Sequence, residues 1–544
     1  MSTAVDSGEP DVLVAGSGAA GLVAALTAAV AGARVTLVER AGELGGTTAA
    51  SGGRVWVPAN GRPGNEGDSV ENARTYLEGV FDDRYAHMTD AFVTTARTVA
   101  DYVEAHTPHR FAVCPNYPDY HPAKAGATLG GRCLDMTPLD TRPLDPRVAE
   151  VRRVPGYAPM THAEWEEWRY PDRFDHDLLR RRRENGVEAN GVALIAALLH
   201  GALRAGVRVV ASTRVTGVRR DDGRPVVTVE DADGTERTLR PGAVILATGG
   251  FDRNPSRRAT DLPGPVAGLG GPPTNTGDGL TIAESLGAAT GNLSDGWWMP
   301  MMAVPGETVD GAPFYRGLVR ERGAPRQFIV NRAGRRFVDE ALPYNEIGKA
   351  MHRRDEAGGY PNGDAFIVFD AGFARRYPLP DLTPGRPVPD WYARGGTLRE
   401  LAERVGVDAD GLTATGERWN AMCPSGMDED FGRGGNPYDR YYGDAGVTPN
   451  PNMAPLDEPP YYAVPMLSGA AGTKGGPVTD ADGRLLDHDG AVIPGVFAAG
   501  NTTAFWTADG YPGPGATLAA GMVFGHRAGR AAAGGRGGPG RSGP

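Results

Sequence analysis

The sequence predicts an α/β fold: one domain built from two separated stretches of chain, with an inserted α+β region between them. Three observations carry this. A complete βαβ unit opens the chain at Asp11–Arg40, a strand-to-helix glycine turn closes it at Gly500–Gly521, and an apolar strand ending in small residues, VILATGG, lies between them at Val244–Gly250.

The first unit reads DVLVAGSGAAGLVAALTAAVAGARVTLVER. Val12 and Val14 belong to a buried strand. Gly16, Gly18 and Gly21 then supply a tight bend, room for a pyrophosphate and close helix packing. Ala19 and Ala20, within this turn, are further expected cofactor contacts, and Leu22, Ala25, Leu26, Ala29 and Val30 recur at helical spacing. Val35–Val38 forms the second strand, ending in Glu39 and Arg40, where an acid is placed to hold a ribose hydroxyl. This is a Rossmann-like dinucleotide site, and NAD and FAD both fit it.

Three later segments favour FAD. LGGTTAASGG at Leu44–Gly53, with Gly46, Thr47, Thr48, Ser51, Gly52 and Gly53, resembles the small-residue segment beside the flavin in glutathione-reductase-like flavoproteins. VILATGG, with Ala247, Thr248 and Gly249, resembles their second glycine site. PGVFAAGN, with Gly500 and Asn501, resembles the strand that returns the chain to the flavin. An enzyme holding NAD alone has no need of that return. No histidine falls within Leu44–Gly53, where several relatives attach flavin covalently, so non-covalent FAD is expected.

In GNTTAFWTADGYPGPGATLAAG, a helix beginning near Gly515 aims free N–H groups and a positive dipole end at whatever lies above it. Gly515, Ala516, Thr517 and Leu518 are the expected cofactor contacts there. Tyr511, four residues upstream, becomes a candidate donor to a substrate carbonyl.

Six segments in register carry a more specific resemblance: SGGRVWVPAN at Ser51, NYPDYHP at Asn116, TGDGL at Thr276, NRAGRRFVDEALPY at Asn331, GTKGG at Gly472 and GYPGPGAT at Gly510. The chain resembles the 3-ketosteroid dehydrogenases of the Δ1 type, within the fumarate reductase and succinate dehydrogenase flavoprotein superfamily, over nearly its whole length. Fumarate and succinate enzymes carry an arginine where this chain has Tyr344. A phenol cannot make the bidentate fork that a carboxylate rewards, so a ketone fits better than a dicarboxylate.

The resemblance implies roles. Tyr511, with the backbone N–H of Gly515, donates to the C3 carbonyl and promotes enolisation. Tyr344 takes a proton from C2, with Tyr120 hydrogen-bonded to it, and hydride leaves C1 for flavin N5. Hydrogen bonds and positive potential lower a phenol's pKa, whereas desolvation raises it. Val215 and Asp278 are carried over as further cofactor contacts. The expected activity is FAD-dependent 1,2-desaturation of a 3-ketosteroid. Still open are desaturation of another cyclic ketone such as a terpenoid, C4–C5 desaturation, an enone reductase run in reverse by a partner donor, and a non-catalytic flavin-binding subunit.

Bland readings bound the rest. The chain has 18 tyrosines, and Tyr117 reads as wall rather than chemistry. Trp297, Trp298 and Trp506 suit a cavity wall but suit a core as well. Arg180–Arg183 reads as a solvated helix face that could touch cofactor phosphate. His162 lacks the second histidine of a zinc helix, and Cys114, Cys133 and Cys423 show no CxxC spacing, so no metal is expected. A formal charge of −11 argues against nucleic-acid wrapping. A polar N-terminus, the lack of a long apolar run and few cysteines suit a cytoplasmic enzyme without a transmembrane segment. The electron acceptor, a quinone or carrier protein, leaves no signature.

The cofactor segments place an FAD-binding domain at 1–285 and 465–535, with a helical excursion at 122–190 over the substrate mouth. The catalytic cap is expected at 286–464 and a disordered tail at 536–544.

Overall fold

The computed structural model describes residues 9–81 and 85–534; the expected tail at 536–544 lies outside them. Four strands of the N-terminal part, β1 (Val12–Ala15), β2 (Val35–Val38), β3 (Arg208–Val210) and β4 (Ala243–Leu246), join two late ones in the central sheet. Strands β1, β2 and β4 are buried along their whole length. That explains their unbroken apolar runs, because a parallel sheet covered on both faces offers no solvent side. In register, Val12 faces Val35 on one side and Ala243 on the other.

A second sheet follows in sequence: β5 (Met301–Val309), β6 (Ala312–Gly317), β7 (Gln327–Asn331), β8 (Asp364–Asp370) and β9 (Tyr461–Leu467). Their spatial order is β6-β5-β9-β8-β7, all antiparallel, and Ala393–Gly395 adds to β9. Alternation along β7 sends Phe328 and Val330 into one core with Trp419, and Ile329 into another with Ile347 and Phe373. The AFIVFD segment is β8. The chain then returns through β10 (Arg484–Leu486) and β11 (Val492–Ala498), which extend the central sheet as β10-β11-β4-β1-β2-β3, with β11 parallel to β4 and β10 antiparallel to β11.

Five helices position the site: α1 (Ala19–Val30), α2 (Ala86–His106), α3 (Asn190–Arg204), α4 (Tyr344–Met351) and α5 (Ala516–Gly534). Helix α5 lies directly on α1. A Cβ at Gly525 or Gly529 would come within 2.4 Å of the Ala20 and Ala24 carbonyls, so only glycine permits this approach. Within 122–190 are short helices at His162–Trp168, started by a Thr161–Glu164 capping box, and at His176–Glu184. No described helix is long and apolar enough to cross a membrane.

Candidate active site

One cavity of about 520 Å³ opens where the central sheet meets the second sheet, and the glycine motifs and the phenols both line it. At one end are Gly16, Gly18, Ala19, Ala20, Glu39, Arg40, Thr47, Thr48, Val215, Ala247, Thr248, Gly249, Asp278, Gly500 and Asn501. The turn after β1 is locked by its glycines. Gly16 has φ +107°, and a Cβ there would sit 2.2 Å from the Ala247 carbonyl oxygen. At Gly18 and Gly46, by contrast, an added Cβ would meet only Thr48 Oγ1 at 3.6 Å and nothing within 4 Å respectively. A side chain at these two would fill cavity rather than strike protein, as expected at Gly18, where a pyrophosphate must approach backbone, and at Gly46, in the segment beside the flavin. The residues therefore fit a dinucleotide.

Glu39 accepts from the Ser17 N–H and hydroxyl at 2.9 and 2.7 Å and from the Ala41 N–H at 2.9 Å. That uses three of a carboxylate's roughly four acceptor sites, leaving room for one ribose hydroxyl. Asp278 is clasped by Arg214 at 2.8 Å and by Arg40 at 3.2 Å, so it also orients two arginines. Two expected contacts do not line the cavity. Gly21 packs against the Gly16 carbonyl, which an added Cβ would meet at 2.0 Å, and Ala516 turns into the core at 4% exposure.

At the other end stand Gly46, Ser51, Gly52, Gly53, Tyr120, Tyr344, Tyr511, Gly515, Thr517, Leu518 and Trp297. The three phenols come from three remote segments and pack edge to face. Ring centroids are 5.1 Å apart for Tyr120–Tyr511, 5.6 Å for Tyr344–Tyr511 and 5.6 Å for Tyr120–Tyr344. Gly515, at φ +89°, tolerates no side chain, since a Cβ would lie 2.3 Å from the Arg54 carbonyl oxygen. Its N–H has no hydrogen-bond partner among the described residues, so it remains available to a ligand.

Local bonds hold each phenol. Tyr344 opens α4, which is tied to the Tyr511 loop by Asn345 Nδ2 donating to the Asp509 carbonyl at 3.2 Å and by a Lys349–Asp509 ion pair at 3.3 Å. Tyr120 N–H and the Tyr76 hydroxyl both donate to the Pro512 carbonyl, at 3.0 and 2.5 Å. Lys474, from GTKGG, donates to the carbonyls of Ala508 and Gly510 at 2.7 and 2.6 Å, and its ammonium lies 4.2 Å from the Trp297 ring centroid. Burial pushes Lys474 down to about 7.

Burial dominates the electrostatics of the phenols. It holds Tyr120, Tyr344 and Tyr511 above the ordinary phenol range. For Tyr344 the neighbouring Tyr511 adds to burial, and the Tyr120 hydroxyl opposes both. For Tyr511 the hydroxyls of Thr517 and Tyr344 and the charge of Arg54 oppose burial, with Thr517 Oγ1 donating at 3.1 Å. In the protein alone, desolvation therefore outweighs the hydrogen bonds and positive potential that lower a phenol's pKa.

Other readings sort out by position. Tyr117 lines the cavity with its hydroxyl bonded to Tyr442 at 2.5 Å, a wall as expected. Among the three tryptophans only Trp297 faces the cavity; Trp298 packs with Phe251, and Trp506 against Phe81 and Phe92. The arginine run lies away from the cavity, with Arg180 bound to Asp177 and Glu184 and Arg182 bound to Glu164, so it does not reach the dinucleotide site. Sequence reasoning passed over Lys474 and Arg54, although both stand in segments it singled out. The available signal was one cation set among small residues that face a ligand.

The family model described as FAD binding domain matches residues 11–518. A 4-oxocyclohexanecarboxylate 2-dehydrogenase of Sinomonas cyclohexanicum is 41% identical over 96% of this chain and 93% of its own. A 3-oxosteroid 1-dehydrogenase of Mycobacterium tuberculosis is 37% identical over 96% and 97%. The solved 3-ketosteroid Δ1-dehydrogenase of Sterolibacterium denitrificans, in complex with 1,4-androstadiene-3,17-dione, superposes with a TM-score of 0.89 at 35% identity, covering 96% of this chain and 99% of that one.

Proposed function

The chain belongs to the FAD-binding domain family and is an FAD-dependent oxidoreductase; from that premise we propose that it forms a carbon–carbon double bond α,β to the carbonyl of a cyclic ketone, as in 1,2-desaturation of a 3-ketosteroid. The observation that carries this reading is the single cavity shared by the dinucleotide glycines and three phenols from remote segments. FAD would be held without a covalent bond by the residues around Gly18, Glu39, Thr48, Thr248 and Asn501, and when bound it supplies a hydride acceptor.

The rest is the work of side chains. The Tyr511 hydroxyl and the Gly515 N–H donate to the carbonyl oxygen, and negative charge developing there is met by donors already in place. That polarisation acidifies the α carbon, whose proton passes to Tyr344 Oη. Burial disfavours a charged Tyr344, so the Tyr120 hydroxyl and the carbonyl donors together lower the demand on it. Closure of the phenols around the ring excludes water from the charged intermediate. Two electrons then leave for a quinone or carrier protein. Free, buried Cys114, Cys133 and Cys423 support a reducing cytoplasm.

The 41% identical relative favours a smaller monocyclic ketone as a second reading within the same chemistry. Anaerobic mixing with androst-4-ene-3,17-dione or a substituted cyclohexanone should bleach the flavin absorbance. A flavin that stays oxidised against every ring ketone contradicts the proposal.

A further inference from the structure

Four arginines line the cavity: Arg40, Arg54, Arg214 and Arg316. Three have a carboxylate partner at ion-pair distance, Arg40 and Arg214 in a shared Asp278 and Arg316 in Glu307. Arg54 does not. No carboxylate among the described residues lies within ion-pair distance of it, and its one side-chain hydrogen bond runs to His162 Nδ1 at 3.2 Å.

That bond is to a neutral group. Burial, then the charges of Arg54 and Arg320, hold His162 far below the ordinary histidine range. Tyr441 donates to Glu166 at 2.5 Å and accepts from His162 Nε2 at 2.6 Å, which leaves Nδ1 as the acceptor for Arg54. One N–H of the guanidinium fork is used, and the other four take no protein partner.

A second cation compounds the imbalance. Arg320 lies with its guanidinium carbon 3.8 Å from the centroid of the Trp165 ring and likewise has no carboxylate within ion-pair distance among the described residues. Burial, then Arg54, lowers its pKa to about 10. The nearby acid, Asp135, is buried at 3% exposure, accepts from the His162 N–H through one oxygen and leaves the other without a partner. Two guanidiniums thus share one acid whose own burial opposes its charge. The pair belongs to the phenol end rather than the pyrophosphate end, since the charge of Arg54 is felt by Tyr511, Tyr117 and Tyr442.

The charge of Arg54 is favoured at a distance by Asp135 despite burial, but no carboxylate among the described residues reaches its guanidinium, and four of its N–H groups are left for a ligand entering the cavity that Arg54 lines. We propose that Arg54, backed by Arg320, receives a carboxylate carried by the substrate, so that the preferred substrate is a ring ketone bearing an acid group remote from its carbonyl. The planar fork of arginine matches a carboxylate in two parallel hydrogen bonds, which a lysine or a neutral wall would not provide. The inference rests on the ring-ketone reading above and adds the chemistry of the ring's other end.

The test uses the FAD-loaded protein with an artificial electron acceptor and three ketones: 4-oxocyclohexanecarboxylate, its methyl ester and androst-4-ene-3,17-dione. The acid should exceed the ester in kcat/KM by about tenfold to a hundredfold, chiefly through KM, as for a lost charge-assisted hydrogen bond. Arg54→Met should bring that ratio near one, and Arg54→Lys should restore part of it. If Arg54→Met does not fold, the wild-type ratio of acid to ester decides alone. Equal turnover of acid and ester, preference for the neutral steroid, or a ratio unchanged in Arg54→Met overturns the carboxylate site and leaves ring-ketone desaturation standing. Three inert ketones overturn both.

Discussion

The two ends of the cavity solve recognition differently. The dinucleotide end is built from backbone: glycines that admit close approach, a helix start, and arginines already paired with Asp278. The phenol end is built from side chains that arrive from positions 120, 344 and 511, together with a cation, Arg54, that no carboxylate among the described residues reaches at ion-pair distance. Backbone recognition gives affinity for a fixed cofactor, whereas remote side chains give chemistry and choice of substrate. Changes at the two ends should therefore separate cofactor content from turnover.

The largest expected effect is at the phenol end. Tyr511→Phe should lower kcat by about 10²- to 10³-fold, the cost of removing one donor to a developing oxyanion, with flavin content unchanged. Tyr344→Phe should fall in a similar range, about 10²- to 10⁴-fold, as for loss of a general base. Loss of flavin in either variant would erase the contrast between the ends. At the other end, Gly16→Ala forces a Cβ to 2.2 Å from the Ala247 oxygen at φ +107°, so the purified protein should carry little flavin. Full occupancy there would show that the turn yields more than its packing allows.

The pH profile sharpens the comparison next. Tyr344 is held above the ordinary phenol range by burial, so its charged form grows as pH rises. In wild type kcat/KM should then climb by about tenfold per unit on the alkaline side until the raised pKa is reached, and Tyr344→Phe should flatten that slope. The smallest effect is expected from Thr517→Val, which removes the hydroxyl donating to Tyr511. A fall of about two- to tenfold in kcat, the worth of one hydrogen bond, would fit a supporting part.

The same division explains what the sequence discloses. Strands β1, β2 and β4 and the glycine turn are legible because buried parallel strands leave unbroken apolar runs, and tight turns leave glycine at fixed offsets. The β5–β6 hairpin is not, since its outer half is largely exposed and its residues carry no strict alternation. At the phenol end no local pattern joins Tyr120, Tyr344 and Tyr511, and only resemblance to a family brings them together. Arg54 stands in plain view within SGGRVWVPAN, yet its significance depends on His162 and Arg320, and on acids that do not come within reach. An unpaired charge is a property of three-dimensional neighbourhood and has no signature in one segment.

The most direct measurement is anaerobic bleaching of the flavin by a ring ketone deuterated at the α carbon or at the β carbon, followed by mass analysis of the product. Slower bleaching with either label, and a product that has lost one deuterium from the labelled carbon in each case, is the predicted result. Bleaching indifferent to the α label, or a product that keeps every α deuterium, would contradict proton removal by Tyr344 beside a carbonyl held by Tyr511 and Gly515.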